Sequence, residues 1–338
     1  MDKQKKRCLA AFFLSGLLCA SAAWSAPARA AEERMLVPVG HTIGIKLFAE
    51  GVVVIGLAEV DSQTGKATPG ADCGLQVGDV IEEANGREVE SSEQFAAILQ
   101  CGGTVDLAVN REGEDLNLAA EPVLGPDGTY RLGAWIRDSM AGIGTVTFYD
   151  PETGAFGALG HGITDSDTGL LMPLGDGSVM NAQVKAVKQG TAGEPGELKG
   201  SFDLTRDMGT LRANTAQGVF GTMEAWDFVE EQTAVPVASR DQVHTGAATI
   251  LSNVSGDIVD EYTIEVVRVL DGGTSQDLLL EITDQRLLEA TGGIVQGMSG
   301  SPILQDGRLI GAVTHVMVNN PERGYGIFIE NMLEAAEA

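Results

Sequence analysis

Short apolar runs separated by glycine-rich turns dominate the chain from about residue 140 onward. Apolar runs of this kind, bounded by turn-forming residues, are typical of β-strands. The runs are Gly144–Tyr149, Gly154–Leu159, Ala182–Val187, Gly218–Met223, Val235–Ala238, Ala247–Ser252, Tyr262–Leu270, Leu278–Ile282, Ile303–Thr314 and Gly326–Ile329. Together they predict a β-barrel or β-sandwich domain over residues 124–338.

Residues 35–123 follow a different pattern and predict a separate α+β unit. With 338 residues, the chain is long enough for two domains. The predicted elements are strands at 52–60, near 81 and at 104–110, with a helix that Ser91 or Ser92 caps and that continues to Leu99. Turn residues without a strong period follow at 124–136, so we predict the domain boundary near residue 123.

A short motif relates this first unit to a known family. Gly74-Leu-Gln-Val-Gly78-Asp79-Val-Ile, followed by Asn85-Gly86-Arg87, resembles the PDZ domain family. The resemblance implies a ligand peptide that adds a strand to the domain, while amides of a preceding loop hold its terminal carboxylate. The matching peptide-binding loop is Ile43, Gly44 and Ile45, and the matching groove helix is Ser91–Leu99.

The first thirty residues are typical of an export signal. Lys3, Lys5, Lys6 and Arg7 form a basic start, residues 8–24 are apolar, and Ala28-Arg29-Ala30 offers small residues for a signal peptidase. An uncleaved N-terminal membrane anchor is the alternative. We therefore expect the protein to cross the cytoplasmic membrane.

The charge of the chain restricts its partners. The formal net charge is −26, and without residues 1–30 the chain keeps 17 basic and 47 acidic residues, a net charge of −30. Because phosphate binding requires clustered lysine and arginine, nucleic acid is excluded as a partner. Cys73 and Cys101 remain after the signal, and they could form a disulfide or stay as buried thiols.

Gly297-Met298-Ser299-Gly300-Ser301-Pro302 interrupts an apolar run with glycines and two serines. Glycines allow a tight turn, and the backbone amides of Gly297 and Ser299 could form an oxyanion hole beside a nucleophilic Ser299. Ser301 is the rival nucleophile, but it precedes Pro302, which has no N–H. The motif therefore predicts acyl transfer to a serine.

A serine nucleophile needs a base, which is usually an imidazole. The chain has four histidines. His161 ends a strand-like run between two glycines and is the best candidate, although a histidine packed in a tight turn is the alternative. His41 belongs to the PDZ-like unit, and His244 and His315 suit packed or surface positions.

Three segments together resemble the stage IV sporulation protein B (SpoIVB) peptidase family of PDZ-containing serine peptidases. They are Leu159–Ile163, Gly293–Ile303 and Ile310–Asn320. The resemblance implies a chymotrypsin-like β-barrel peptidase with Ser299 as nucleophile, His161 as base and Asp284 as the acid. Asp165 and Asp167 are the rival acids. No metal or other cofactor is expected, since no metal-binding or phosphate-binding motif is present.

The same resemblance implies a role in spore formation. The family's members are secreted from the forespore into the intermembrane space, cleave themselves, and cut a membrane-bound regulator of an intramembrane protease, which leads to activation of a mother-cell sigma factor. In that scheme the PDZ-like unit holds the enzyme's own N-terminal segment or the regulator. An exported PDZ scaffold with an inactive peptidase-like domain is the alternative, and a general quality-control protease is a weaker third possibility.

Overall fold

Two six-stranded antiparallel barrels form the body of the protein. The computed structural model describes residues 33–224, 229, 232–270 and 275–338, and the predicted export segment lies outside them. The chain divides into two units, Met1–Arg34 and Met35–Ala338, and every element below belongs to the second. None of the described helices is long and apolar enough to span a lipid bilayer.

The strands are, in chain order, β1 (Met35–Pro38), β2 (Thr42–Leu57), β3 (Val60–Ser62), β4 (Gly65–Ala67), β5 (Val80–Ala84), β6 (Arg87–Glu88), β7 (Val105–Arg111), β8 (Glu114–Ala120), β9 (Val123–Leu124), β10 (Tyr130–Arg131), β11 (Ala134–Tyr149), β12 (Ala155–Ala158), β13 (Asp176–Lys188), β14 (Glu197–Thr215), β15 (Gly218–Met223), β16 (Val235–Pro236), β17 (Gly246–Ser255), β18 (Ile258–Val269), β19 (Leu278–Ile282), β20 (Pro302–Gln305), β21 (Arg308–Val316) and β22 (Arg323–Phe328). The helices are α1 (Pro69–Asp72), α2 (Ser92–Leu99), α3 (Gln285–Thr291) and α4 (Ile329–Glu337), with a 3₁₀ turn at Arg240–Gln242.

The first barrel closes through β2, β11, β12, β15, β14 and β13, and β13 pairs back with β2. Alternate side chains of a strand point to opposite faces, so every second residue can enter the barrel core. In β2 these residues are Ile43, Ile45 and Leu47, each less than 5% exposed. Strand β1 extends the same sheet by pairing with the end of β11.

The second barrel closes in the order β17, β18, β19, β22, β21 and β20. Its core is almost entirely aliphatic and includes Ile250, Val266 and Leu280, all fully buried. Helix α4 follows β22 and buries Met332 against residues of both barrels. Two antiparallel barrels in succession are the predicted chymotrypsin-like arrangement, and the mainly β fold class is confirmed.

The PDZ-like unit is an insertion in the first barrel. The second half of β2 pairs with β5, β5 with β7 and β7 with β8, which gives the unit a sheet of its own. Helix α2 covers this sheet with Phe95 and Leu99, and Ser91 caps the helix by accepting a 3.2 Å hydrogen bond from the Gln94 amide. The chain returns to the barrel along β11, which pairs first with residues 53–57 of β2 and then with residues 42–48.

The boundaries of the insertion therefore differ from those predicted. The unit was predicted over 35–123, but residues 35–49 belong to the first barrel through β1 and the first half of β2. At the other end, Leu132 lies in the core of the PDZ-like unit and Ile136 packs against it. The physical reason is that β2 and β11 are long strands. One half of each lies in the first barrel, and the other half packs in the core of the PDZ-like unit.

Candidate active site

A tight loop at residues 295–301, which we call the nucleophile loop, lies where the two barrels meet. On the side of the second barrel, the Gly300 amide donates to the Val313 carbonyl at 2.8 Å and the Val313 amide donates to the Ser301 carbonyl at 2.9 Å. Gly300 has φ +98° and abuts the first barrel, since a Cβ there would lie 2.6 Å from the Leu159 amide nitrogen. Only glycine fits such a backbone at such a distance.

The two amides predicted for the oxyanion hole are not used elsewhere. Gly297 and Ser299 lie outside helices and strands, and neither amide donates a hydrogen bond to another described residue. By contrast, the neighbouring amides of Met298 and Ser301 donate to carbonyls of Val295 and Met298. Because amides in the interior of a protein are normally satisfied, the two unengaged amides on either side of Met298 indicate donors available to a ligand.

The two serines of the motif have different environments. Ser299 is half-buried, and its hydroxyl donates a 2.7 Å hydrogen bond to the Thr314 carbonyl. Ser301 is fully buried, and its hydroxyl donates to the Ser252 hydroxyl at 3.1 Å. A substrate could reach Ser299 but not Ser301, which supports the predicted choice of nucleophile.

His161 lies three residues beyond β12, in the loop beside Ser299. Its Nδ1 lies 2.9 Å from the Gly162 carbonyl oxygen, which can only accept, so Nδ1 carries the proton and Nε2 has the lone pair. Burial lowers the pKa of His161, and the Gly162 hydrogen bond offsets part of that effect. The ring is therefore neutral near pH 7, in the tautomer that a general base requires.

His315 was predicted to be an ordinary packed or surface residue, but its ring lies against the ring of His161 in a tilted arrangement. The two ring centroids are 4.8 Å apart, with 36° between the planes. Burial, with a smaller effect from the neighbouring His161, lowers the pKa of His315 to about 4. Since His315 follows Thr314, whose carbonyl accepts the Ser299 hydroxyl, Ser299, His161 and His315 form one cluster.

Asp284 is not brought to His161 in the structure, although the family resemblance implied that it would be. Its carboxylate caps α3 by accepting from the Arg286 amide at 2.9 Å, and it forms an ion pair with the Arg286 guanidinium at 2.9 Å. It also accepts a 3.3 Å hydrogen bond from the Thr263 amide. The Arg286 guanidinium lowers the pKa of Asp284 to about 2, although the burial of this side chain acts in the opposite direction.

The rival acids are also engaged elsewhere. Asp165 is buried, accepts hydrogen bonds from Asp167 and Thr168, and pairs with Arg137 at 2.8 Å. Asp167 is exposed and pairs with Arg137 at 2.9 Å. Burial raises the pKa of Asp165, but the hydrogen bonds and Arg137 outweigh it and hold this pKa below its usual value. Among the described residues, the Gly162 carbonyl takes the position at Nδ1 where a carboxylate was expected.

Asn214 is a further residue of the site that sequence reasoning missed. At the end of β14, its Oδ1 accepts from the Ile163 amide at 2.8 Å, and its Nδ2 donates to the carbonyls of Ile163 and Met172 at 2.9 and 2.8 Å. All polar atoms of the side chain thereby hold the loop that carries His161. Nothing in the local sequence distinguishes Asn214 from an ordinary turn residue.

The remaining histidines lie outside this cluster. His41 is buried, and its Nε2 lies 2.9 Å from Asn181 Oδ1. His244 is exposed and pairs with Asp306 at 2.8 Å. The choice of His161 over these two is consistent with the geometry.

The predicted peptide-binding loop, Ile43, Gly44 and Ile45, is contradicted by the structure. These residues lie inside β2 and pair with β11 along one edge and with β13 along the other. A strand that is paired on both edges cannot accept a ligand strand. The error follows from the boundary, because this segment belongs to the first barrel.

A groove beside α2 is the better candidate for a peptide. Residues 134–137 of β11 pair with β2 along one edge, and along the other edge they pair with no strand in the described part of the chain. This edge and α2 line a cavity of about 510 Å³ with Phe95, Leu99 and Trp135 on its walls. Trp135 is 66% exposed. An unpaired strand edge beside an apolar helix face is the geometry that strand addition requires.

Cys73 and Cys101, the two cysteines among the described residues, do not form a disulfide. Cys73 is half-buried and its thiol donates to the Gly70 carbonyl at 3.1 Å, whereas Cys101 is exposed. Burial raises the pKa of the Cys73 thiol.

Two family models match the chain. The model of the SpoIVB peptidase S55 family matches residues 128–333, well over half of the chain, and a PDZ domain model matches residues 60–111. The chain belongs to the SpoIVB peptidase S55 family. The first match contains His161, Ser299 and both barrels apart from β1 and β2, so the candidate site lies within the part that defines this family.

The SpoIVB family assignment rests on these matches, because no curated protein matches the chain. Among solved structures, the PDZ domain of an SdrC-like protein from Listeria monocytogenes is 24% identical over 26% of this chain and 87% of that one, with a TM-score of 0.21. The inactive form of the Rv3671c protease is 14% identical over 59% of this chain and 85% of that one, with a TM-score of 0.30. Scores this low carry no argument about function.

Proposed function

We propose that the protein is a serine endopeptidase with Ser299 as nucleophile and His161 as general base. The observation that carries this proposal is the nucleophile loop itself. It presents an accessible serine together with two unengaged amides, those of Ser299 and Gly297, and it lies against the loop that carries a neutral imidazole of the required tautomer. These are the parts that acyl transfer needs.

In this mechanism the Ser299 hydroxyl turns from the Thr314 carbonyl toward His161 Nε2. Nε2 takes its proton while Oγ attacks the peptide carbonyl carbon, and the amides of Gly297 and Ser299 stabilise the oxyanion. The imidazolium then protonates the leaving amine as the C–N bond breaks. Water releases the acyl group by the same steps in reverse order, and Ser299 regains its proton.

The substrate in this proposal is a membrane-bound regulator of an intramembrane protease, and the enzyme also cleaves its own N-terminal segment. Membership in the SpoIVB family supports this assignment. The groove beside α2 would hold a peptide segment of either chain. Cleavage would send the signal that activates a mother-cell sigma factor during sporulation.

The proposed location is outside the cytoplasmic membrane, in the space between the forespore and the mother cell. The support is the basic and apolar pattern of residues 1–30, which precede the described structure. The segment either is removed by signal peptidase or anchors the enzyme until it cleaves itself.

The test is covalent labelling of the full-length chain with an alkyl fluorophosphonate, followed by mapping of the adduct by mass spectrometry. We expect one adduct, on Ser299, and we expect labelling to stop the loss of intact chain that self-cleavage causes. If the chain forms no adduct and does not cleave itself, even with the membrane-bound partner present, the peptidase assignment is refuted.

One observation favours an alternative function as an exported PDZ scaffold. Among the described residues no carboxylate contacts His161, and the Ser299 hydroxyl is bonded to Thr314 rather than to the imidazole. A peptidase-like domain that never aligns these groups would bind peptides without cutting them. In that case a peptide would bind in the α2 groove while the fluorophosphonate left the chain unmodified.

The pH dependence of activity should reflect the lowered pKa of His161. A protonated imidazole cannot accept the serine proton, so activity falls as the pH drops through this pKa. Burial places the pKa below the ordinary value of 6.5. We therefore expect the acid limb of kcat/KM for p-nitrophenyl acetate to have its midpoint below pH 6.5. A midpoint at or above pH 6.5 would contradict the burial of His161.

Asp284→Asn is expected to destabilise the protein by about 1 to 2 kcal/mol. Asparagine can still cap the helix, but the substitution removes the negative charge that pairs with Arg286 and that favours the N-terminus of α3. The pKa of Asp284 is lowered from 3.8 to about 2, so its contribution is complete above pH 3.8 and is lost as the pH falls toward 2. Urea unfolding at pH 7 and at pH 2 measures this contribution. The variant and the unsubstituted protein should therefore converge in stability at the lower pH.

The activity of the folded Asp284→Asn variant separates the two roles of this residue. If Asp284 only caps α3, kcat per folded molecule stays within about threefold of the unsubstituted value. If Asp284 approaches His161 during turnover, as the family resemblance implies, kcat falls by about 10⁴-fold, the cost of losing the acid of a triad.

A further inference from the structure

Thr145 of β11 links both halves of the candidate site. It is fully buried in the first barrel, and it also contacts the nucleophile loop of the second barrel. Its side-chain hydroxyl donates a 2.8 Å hydrogen bond to the Gly297 carbonyl, and its amide donates a 3.0 Å hydrogen bond to the Ser299 carbonyl. One residue of the first barrel therefore holds the nucleophile loop of the second.

The same residue holds the loop of the general base. The Thr145 carbonyl accepts a 3.2 Å hydrogen bond from the Leu159 amide, two residues before His161. Leu159 is one of the few non-glycine residues with positive φ, at +69°. Such a backbone persists only where its surroundings fix it, and the bond to Thr145 is one of the contacts that do so.

Thr145 binds the carbonyls of the two peptide groups that flank the Ser299 amide. The Gly297 carbonyl belongs to the peptide before Met298, and the Ser299 carbonyl belongs to the peptide before Gly300. The Ser299 amide lies in the peptide between these two. Fixing both neighbours limits rotation of the peptide that carries this oxyanion-hole donor, which is worth most when it is aimed in advance.

We propose that Thr145 is the positioning residue that aligns the Ser299 oxyanion hole with the His161 loop across the two barrels. This inference rests on the proposed peptidase function. Thr145 touches no substrate and moves no proton. Its effect is on the alignment of groups that do, and a displacement of about 1 Å at such groups can cost about 10²-fold in rate.

Thr145→Val tests the proposal, because valine keeps the shape and the backbone bonds but loses the hydroxyl donor. The assay is steady-state hydrolysis of p-nitrophenyl acetate by the full-length chain. We expect kcat to fall about 10- to 100-fold while KM stays within about twofold, because transition-state stabilisation is lost rather than binding. Thr145→Ser, which restores a hydroxyl, should recover kcat to within about threefold of the unsubstituted value.

Two threonines provide matched controls. Thr147 lies two residues along β11, is equally buried, and its hydroxyl has no hydrogen-bond partner among the described atoms. Thr42 is also fully buried and makes a different bond between the barrels, from its hydroxyl to the Asn253 carbonyl at 3.1 Å. Thr147→Val and Thr42→Val should both keep kcat within about threefold. An equal loss of kcat in Thr42→Val would overturn the assignment, because the effect would then follow from the loss of any hydrogen bond between the barrels and not from the loss of the bond to Gly297.

A second readout does not depend on catalysis. Hydrogen exchange followed by mass spectrometry should show amides of residues 295–301 exchanging about tenfold faster in Thr145→Val, with Thr147→Val unchanged. Unaltered protection of this loop, or unaltered kcat, would overturn the role of Thr145. If the unsubstituted protein neither labels with fluorophosphonate nor hydrolyses the ester, the peptidase function fails, and the exchange experiment still decides whether Thr145 holds the loop.

If Thr145→Val does not fold, Thr145→Cys replaces it in both measurements. The thiol is only a weak donor, so the proposal again requires a lowered kcat, an unchanged KM and faster exchange in the loop. If kcat and the exchange of the loop amides in Thr145→Cys equal those of the unsubstituted protein, the proposal is wrong.

Discussion

Ser299→Ala is expected to abolish fluorophosphonate labelling and self-cleavage and to lower kcat by about 10⁶-fold. The reason is that the hydroxyl is the atom that forms the acyl bond, and the unengaged amides beside it cannot act without a nucleophile. The fold should be unchanged, because Ser299 is half-buried and its side chain has little structural role. Among the described residues, its hydroxyl makes one hydrogen bond, to the Thr314 carbonyl. Labelling, intact mass and ester hydrolysis measure the three effects.

Ser301→Ala is the matched control for this experiment. It removes the same atom two residues away, where the hydroxyl is buried and bonded only to Ser252 among the described residues. We expect activity to be retained and stability to fall by about 1 kcal/mol, the typical contribution of such a bond. Loss of labelling in Ser301→Ala with labelling retained in Ser299→Ala would reverse the assignment of the nucleophile.

Most strands could be predicted from the sequence because their residues alternate or are wholly apolar. Strand β14 could not, since its 19 residues face solvent along much of their length and include few apolar side chains. The run Ile303–Thr314 was predicted as one strand but forms two, β20 and β21, which turn at Asp306-Gly307. An Asp-Gly pair between apolar residues is a hairpin signal, and both residues have positive φ, at +52° and +76°.

The insertion could not be predicted, because its evidence is in long-range pairing. Glu50-Gly51 interrupts the apolar pattern of β2, and Gly51 has φ +97°, yet the strand continues through this pair from the barrel core to the core of the PDZ-like unit. The sequence predicted a strand only from residue 52 and assigned residues 35–51 to the PDZ-like unit, which placed the peptide-binding loop at Ile43–Ile45. The available strand edge is instead at residues 134–137, beyond the predicted boundary.

For the site, the sequence indicated the groups with distinctive chemistry but not the groups that hold them. Ser299 and His161 stand out because serine among glycines and histidine between glycines are unusual, and the structure brings their loops together. Thr145 and Asn214 act through ordinary hydrogen bonds across 152 and 51 residues of sequence separation, which no local pattern reveals. The PDZ-like groove and Thr145 lie on the same strand, β11, so the insertion and the site share one element.

Gly300→Ala is expected to destabilise the protein by about 3 kcal/mol or more. The change combines the strain of a side chain at φ +98° with a collision, because the new Cβ would overlap the Thr145 carbonyl oxygen and lie 2.6 Å from the Leu159 amide nitrogen. Both obstacles are backbone atoms of strand and loop, so they cannot rotate away. Relief requires the nucleophile loop to move away from Thr145 and Leu159, which would also remove activity from any molecules that still fold.

Gly307→Ala separates the two causes. Gly307 also has positive φ, at +76°, but no atom lies within 4 Å of the position of its Cβ. It should therefore show the backbone strain alone, about 1 to 2 kcal/mol, with full activity. Urea unfolding of both variants measures the difference. Equal destabilisation would mean that the contact between Gly300 and Thr145 is not a fixed part of the fold. A larger loss of stability in Gly300→Ala would show that the nucleophile loop is packed tightly on β11, and that this packing fixes the distance between the two barrels at the site.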